Sequence, residues 1–275
     1  MKTRLLSAGI GIVLALGLVI LGAYFPVVID ISLAAVTIMC LVEGLSAKKL
    51  DKKLTMVIPC TAFCLLFFLL YTNKLAMMCI VFAFIVALYL SMVFNHENLV
   101  FPDLSFALTV TTMCTLGIWT IVYMYDRFKS VTGIFYVVIS LAIPWFADGG
   151  AYFGGSFLGK HKLCPKISPK KTVEGAVAGV IAGTIIPLLA GVIFKFFFFA
   201  PETTVNYVNF AIIAFLASII SILGDLSFSL IKRSCNIKDY GALIPGHGGM
   251  LDRFDSVIFS APLILILDTV LPIIK

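Results

Sequence analysis

The sequence predicts an all-α integral membrane protein, a polytopic bundle of about nine transmembrane helices, and three observations predict it. Apolar residues make up 61% of the 275 and charged residues only 12%, a balance that excludes an ordinary water-soluble domain. Mean hydropathy is +1.12. Tracts without charge recur at about 20 residues, the length that crosses roughly 30 Å of hydrocarbon at about 1.5 Å per residue. A β-barrel would alternate along short strands, and no such alternation appears.

The spans follow in order. Lys2 and Arg4 precede an uncharged run from Leu5 to Tyr24. It is long for a signal peptide and no A-x-A-like site follows, so it reads as a retained first span. Val27 to Val42 is the second, with Asp30 and Glu43 near its ends, and the cluster Lys48, Lys49, Lys52 and Lys53 precedes the third, Leu54 to Tyr71. Leu75 to Phe94, Leu104 to Tyr125 and Val131 to Ala147 are the fourth to sixth. Val173 to Phe194, Tyr207 to Leu223 and Ser256 to Ile274 complete the nine. Residues 1–125 thus hold N-terminal transmembrane helices, and 126–275 a C-terminal transmembrane region with polar loops 148–174 and 224–255, the whole one membrane unit.

Basic residues set the orientation. With the N-terminus cytoplasmic, 15 of the 20 Lys and Arg residues face the cytoplasm, the bias of the positive-inside rule. Both rich loops then lie on the cytoplasmic face of the cell membrane. The seven cysteines are an odd number, mostly within apolar tracts, so no disulfide framework is expected. Cys60 and Cys64, one turn apart without nearby partner ligands, read as packing rather than zinc. His96 and Glu97 read as polar loop residues. Gly175, Gly179 and Gly183 recur every fourth position, a spacing that lets membrane helices approach closely.

Chemistry concentrates in Gly224–Asp255, which carries Asp225, Asp239, Asp252 and Asp255 beside Lys232, Arg233, Lys238 and Arg253. Ionisable groups of this density beside apolar segments are functional candidates. If the eighth helix continues past the lipid, Asp225, Ser229 and Lys232 share one face; a solvated helix end is the competing reading, and Lys232 and Arg233 also suit lipid phosphates. Asp225, Asp252 and Asp255 offer oxygen ligands to a hard divalent cation such as magnesium. Asp239 is a further ligand or a partner of Lys238. Pro245, Gly246, His247, Gly248 and Gly249 form a loop whose glycines let backbone N–H groups approach a phosphate. His247 is either simply exposed or a proton donor there.

In the other loop, Asp148 is a candidate metal ligand or lysine partner. Gly154–Lys160 fits G-x-x-x-x-G-K, but His161 stands where a P-loop needs Ser or Thr and no strand precedes it. Ser168 is expected as a helix N-cap with Pro169 in the first turn. Lys170, Lys171 and Thr172 would follow, cations that oppose the helix dipole unless an anion binds there. Positive-inside topology explains the same lysines.

Ser229–Arg233 (S-x-x-K-R), Lys238–Asp239 (K-D) and Pro245–Asp255 (P-G-H-G-G-x-x-D-R-x-D) together resemble the signature of the phosphatidate cytidylyltransferases, or CDP-diacylglycerol synthases. Ser168–Gly175 (SPKKTVEG) resembles a second segment of that family. The likeness covers roughly the last 130 residues. It implies a magnesium-dependent nucleotidyltransferase of phospholipid biosynthesis that joins CTP to phosphatidate, giving CDP-diacylglycerol and pyrophosphate, with one or two metal ions. Asp225 and Asp252 would hold magnesium, with Asp148, Asp239 and Asp255 as further ligands. Lys232, Arg233 and His247 would complete the catalytic set. Lys170, Lys171, Thr172, Ser229, Lys238, Gly248, Gly249 and Arg253 would bind substrate. CTP, phosphatidate and membrane lipids are the expected partners, not nucleic acid; homo-oligomers are compatible with the sequence. A CTP-dependent lipid kinase acting on a polyprenol-type alcohol is the alternative enzyme, and an ion-coupled transporter the non-enzyme alternative. Transporters place charges near mid-membrane on broken helices, whereas these lie at predicted helix ends. The D-G-x-x-A-R core of CDP-alcohol phosphotransferases is absent.

Overall fold

The computed structural model describes residues 17–18, 20–243 and 248–275. Most of the expected first span, with Lys2 and Arg4, and the loop residues Pro245, Gly246 and His247 lie outside the described residues. Eight long helices are described: α1 (Val27–Ser46), α2 (Leu54–Leu70), α3 (Lys74–Phe94), α4 (Phe101–Phe128), α5 (Ser130–Leu158), α6 (Val173–Phe197), α7 (Tyr207–Ser234) and α8 (Leu251–Val270). All except α2 and α8 are long and apolar enough to cross a membrane. Helix α2 has 17 residues, and α8 carries Asp252, Arg253, Asp255 and Asp268. The chain is a multi-pass helical membrane protein. Large apolar side chains such as Phe82, Phe196 and Val270 point outward, as lipid-facing residues do.

Three expected boundaries are corrected. Helix α5 does not stop at Ala147 but continues through Gly149, Gly150, Gly154 and Gly155 to Leu158. Helix α7 runs on to Ser234. The helix expected to start at Ser168 starts at Val173, with Thr172 as N-cap: its Oγ1 accepts from the Gly175 N–H at 3.1 Å. Ser168–Thr172 is instead strand β2, paired antiparallel with β1 (Lys162–Cys164) in the register Lys162 to Thr172 and Cys164 to Ser168. A Thr directly before the apolar run serves the orphan N–H groups better than a Ser four residues upstream.

The chain divides into two units. The first comprises residues up to 119 together with 235–254. Its apolar interior includes a stacked Phe63–Phe84 pair at 4.3 Å and an edge contact of Phe67 with Trp119 at 5.2 Å. Cys60 and Cys64 are free and buried, as packing residues. The short turn Leu50–Lys52 joins α1 to α2. Of the four lysines there, Lys48 pairs with Asp103 at 3.6 Å and Lys53 donates to the Asn98 carbonyl at 2.5 Å.

The second unit holds residues 120–234 and 255–275. Its dominant packing is α5 against α6, made by small residues. A Cβ on Gly175 would stand 2.7 Å from the Ala151 carbonyl, one on Gly179 2.6 Å from that of Ala147, and one on Gly150 2.5 Å from Ala182 Cβ. The every-fourth glycines of α6 therefore meet a matching set on α5, and this contact keeps α5 helical through its own glycines. A core of Phe135, Tyr136, Ile143, Phe210, Ala214 and Ile264 lies beyond. Tyr136 donates to the buried Asp268 at 2.6 Å, and the Ile273 N–H donates to the same oxygen at 3.0 Å.

Candidate active site

Most of the singled-out residues sit on two frameworks. In the second unit, α7 presents Asp225, Ser229 and Lys232 one turn apart. Ser229 Oγ donates to Asp225 Oδ1 at 3.3 Å. Lys171, on β2, places its Nζ 2.5 Å from Asp225 Oδ2, and Lys232 Nζ lies 3.8 Å from Asp255 Oδ2 on α8. Ser256 donates its hydroxyl to Asp148 Oδ2 on α5 at 2.9 Å, and its N–H to Asp255 Oδ1 at 2.8 Å. Gly224 permits the close α7–α8 approach, since a Cβ there would be 2.9 Å from the Asp255 carbonyl.

The hairpin sorts the paired lysines. Successive strand residues face opposite sides, so Lys171 turns to Asp225 while Lys170 is exposed. The strand is held at its base by Glu174, whose carboxylate accepts from the N–H groups of Lys160 at 3.0 Å and His161 at 3.1 Å, while His161 Nδ1 lies 2.5 Å away. Val173 N–H donates to the His161 carbonyl at 2.9 Å. Thr172, expected to bind substrate, is buried and spends its hydroxyl oxygen on the helix cap. The P-loop-like segment Gly154–Lys160 lies mostly within α5, which closes that reading.

Electrostatically, three carboxylates meet two ammonium groups. Burial most of all opposes ionisation of Asp255, the charge of Asp225 opposes it further, Lys232 favours it, and Asp148 opposes it. Lys232 and Asp255 are buried, at 8% and 5% exposure. A buried excess of carboxylate is costly unless a cation or proton offsets it. The all-oxygen donor set suits a hard cation such as magnesium. Yet among the described residues no three His, Cys, Asp or Glu side chains converge at ligand spacing. The carboxylates are turned onto lysines and serines instead.

In the first unit Asp252 and Glu43 accept from backbone N–H groups. Asp252 Oδ2 accepts from the Tyr240 N–H at 2.8 Å and the Gly249 N–H at 3.0 Å. Gly248 has φ +85°, and a Cβ there would fall 2.9 Å from Asp252 Oδ2, so a side chain is excluded twice over. Lys238, Asp239 and Arg253 are exposed on this unit, and Arg233 is exposed at the end of α7. Sequence reasoning missed Glu43, whose Oε2 accepts from the Leu251 N–H at 2.8 Å. The available signal was an acidic residue in the last turn of α1, where a helix favours cations. It also missed Ser256, which no pattern distinguished.

Comparison with known proteins places the chain in a family. The chain is 32% identical over 175 residues to the phosphatidate cytidylyltransferase of Staphylococcus haemolyticus, covering 64% of this chain and 63% of that one. It is 36% identical over 143 residues to that of Haemophilus influenzae, covering 51% and 46%. It is also 36% identical over 135 residues to that of Bacillus subtilis, covering 49% and 48%. The aligned stretch spans less than two thirds of the length of each relative. Residues 2–271 match the Cytidylyltransferase family, and the chain belongs to that family.

Proposed function

We propose that this protein is a phosphatidate cytidylyltransferase that converts CTP and phosphatidate to CDP-diacylglycerol and pyrophosphate. The observation that carries the reading is the Lys171–Asp225–Ser229 group beside Lys232–Asp255. Its position fits a reaction between a soluble and a lipid phosphate. Helices α5 and α7 begin at Ser130 and Tyr207; Asp148 and Asp225 each follow eighteen residues later, roughly 27 Å along the helix at about 1.5 Å per residue. That distance is close to the hydrocarbon thickness, so both carboxylates reach the membrane surface on the same side.

In the reaction an anionic oxygen of the phosphatidate phosphate attacks the α-phosphorus of CTP. The bond from that phosphorus to the bridging oxygen breaks, and pyrophosphate leaves with the electron pair. The nucleophile is already ionised, so no general base is needed. Catalysis is then positioning and charge neutralisation. Lys171 and Lys232 would exchange their carboxylate partners for phosphate oxygens, with Lys170 and Arg233 adding charge at the rim, while the diacyl chains stay in lipid. Asp225, Asp148 and Asp255 would hold magnesium, which when bound offsets charge on the reacting phosphates. Asp252 would be a further functional carboxylate, and His247 a phosphate contact. Nine spans, a cytoplasmic N-terminus and a cytoplasmic site accord with the distribution of basic residues.

The test is product identity with purified protein, labelled CTP, phosphatidate and magnesium. CDP-diacylglycerol and pyrophosphate in equal amounts are expected. Appearance of CDP with a newly phosphorylated lipid alcohol would instead mark a CTP-dependent kinase, and transfer only with a soluble acceptor would end the lipid reading.

A further inference from the structure

Glu43 is too well engaged to be a chance surface acid. It sits in the last turn of α1, where its charge opposes the helix dipole. Its Oε2 receives the N–H of Leu251, first residue of α8, from 208 positions further along the chain. A helix N-terminus carries unpaired N–H groups and partial positive charge, so Glu43 caps α8 from another element. The fit around it is close. A Cβ on Gly241 would stand 2.6 Å from Glu43 Oε1, and one on Gly249 2.7 Å from the same oxygen. Gly249, expected from sequence to admit a phosphate, admits the Glu43 carboxylate.

The same short segment carries Asp252. Its Oδ2 gathers the Tyr240 and Gly249 N–H groups, one residue beyond the Leu251 N–H that Glu43 holds. Two carboxylates thus hold the three backbone N–H groups of Tyr240, Gly249 and Leu251 around the start of the helical turn that bears Asp252.

We propose that Glu43 is a positioning residue for the reaction: by capping α8 it sets the orientation of Asp252, without itself touching substrate. This rests on the cytidylyltransferase reading for its catalytic consequence, and on the hydrogen bonds alone for its structural one. Three variants separate the reach of the side chain from its charge. Glu43→Gln keeps an acceptor oxygen at the same distance, Glu43→Asp keeps the charge and loses the reach, and Glu43→Ala loses both.

The experiment measures kcat and KM of full-length protein in detergent with CTP and phosphatidate, together with amide hydrogen exchange in the peptide spanning 238–251. Glu43→Ala and Glu43→Asp are expected to lower kcat about 10- to 100-fold, the usual cost of losing a group that orients a functional side chain, with each KM within about threefold. Exchange in that peptide should quicken in both. Glu43→Gln should restore slow exchange and most of kcat. If Glu43→Ala does not fold, the contrast between Gln and Asp carries the same distinction. Glu43→Gln as damaged as Glu43→Asp, with exchange unchanged in both, overturns positioning and makes Glu43 a direct ligand. Unaltered exchange and kcat in all three variants overturn the proposal outright. The exchange arm stands even if the wild-type protein forms no CDP-lipid, so failure here and failure of the proposed activity remain distinguishable.

Discussion

Two small groups of carboxylates, one in each unit, are held in opposite ways. In the second, Asp225, Asp255 and Asp148 meet the side chains of Lys171, Ser229, Lys232 and Ser256, with one backbone N–H added at Asp255. In the first, Asp252 and Glu43 meet backbone N–H groups. A lysine ammonium on a flexible four-carbon stem can leave its partner for an incoming phosphate. A backbone amide cannot leave without unmaking the local fold. The first kind of pairing suits groups that exchange partners during a reaction, and the second suits groups that hold a shape. Residue type alone does not separate them, since all five are acids within or beside helices.

The sharpest way to break this contrast is to remove charge while keeping shape. Asp225→Asn should cost about 10³-fold in kcat/KM or more, on the scale of losing one preorganised electrostatic group, with the protein still folded in membranes. Asp252→Asn should also abolish CDP-lipid formation, but for a charge its backbone bonds do not require: the Asn oxygen can still accept from Tyr240 and Gly249. Near-normal turnover of Asp252→Asn would assign Asp252 wholly to scaffold. Next comes the lysine pair. Lys171→Ala should lower kcat/KM about 10- to 100-fold, chiefly through KM for CTP or phosphatidate, and Lys170→Ala by only a few-fold, because the strand turns the two side chains to opposite faces. Equal effects would show that the hairpin geometry does not govern phosphate binding. The smallest effect on activity belongs to Tyr136→Phe. It leaves Asp268 short of a donor in an apolar core, costing about 1–3 kcal/mol of stability in thermal unfolding while turnover by the folded protein stays unchanged. Lost turnover would place that buried pair in the chemistry.

Sequence periodicity located much of this. The i, i+4, i+7 spacing of Asp225, Ser229 and Lys232 anticipated a helical face, and the Ser229–Asp225 bond lies on it. The Gly175–Gly179–Gly183 spacing anticipated a close helix contact, and α5 supplies it. The extension of α5 past Ala147 was hidden for a physical reason: alone, Gly150, Gly154 and Gly155 weaken a helix, and here they pack against α6 and its N-cap. Ser168-Pro169 looked like a helix start because capping is a local signal. Strand pairing with Lys162–Cys164 is not local, and it won. Glu43 was legible only as an anomaly, since its partner lies so far along the chain.

That distance has a consequence for biosynthesis. The Glu43–Leu251 bond spans 208 positions, so a nascent chain inserting span by span carries α1 through all of that intervening synthesis before its counterpart emerges. Contacts so remote form late, after the intervening segments have been threaded into the bilayer. A ribosome-bound intermediate would lack the finished turn around Asp252 until Leu251 and its helix arrive.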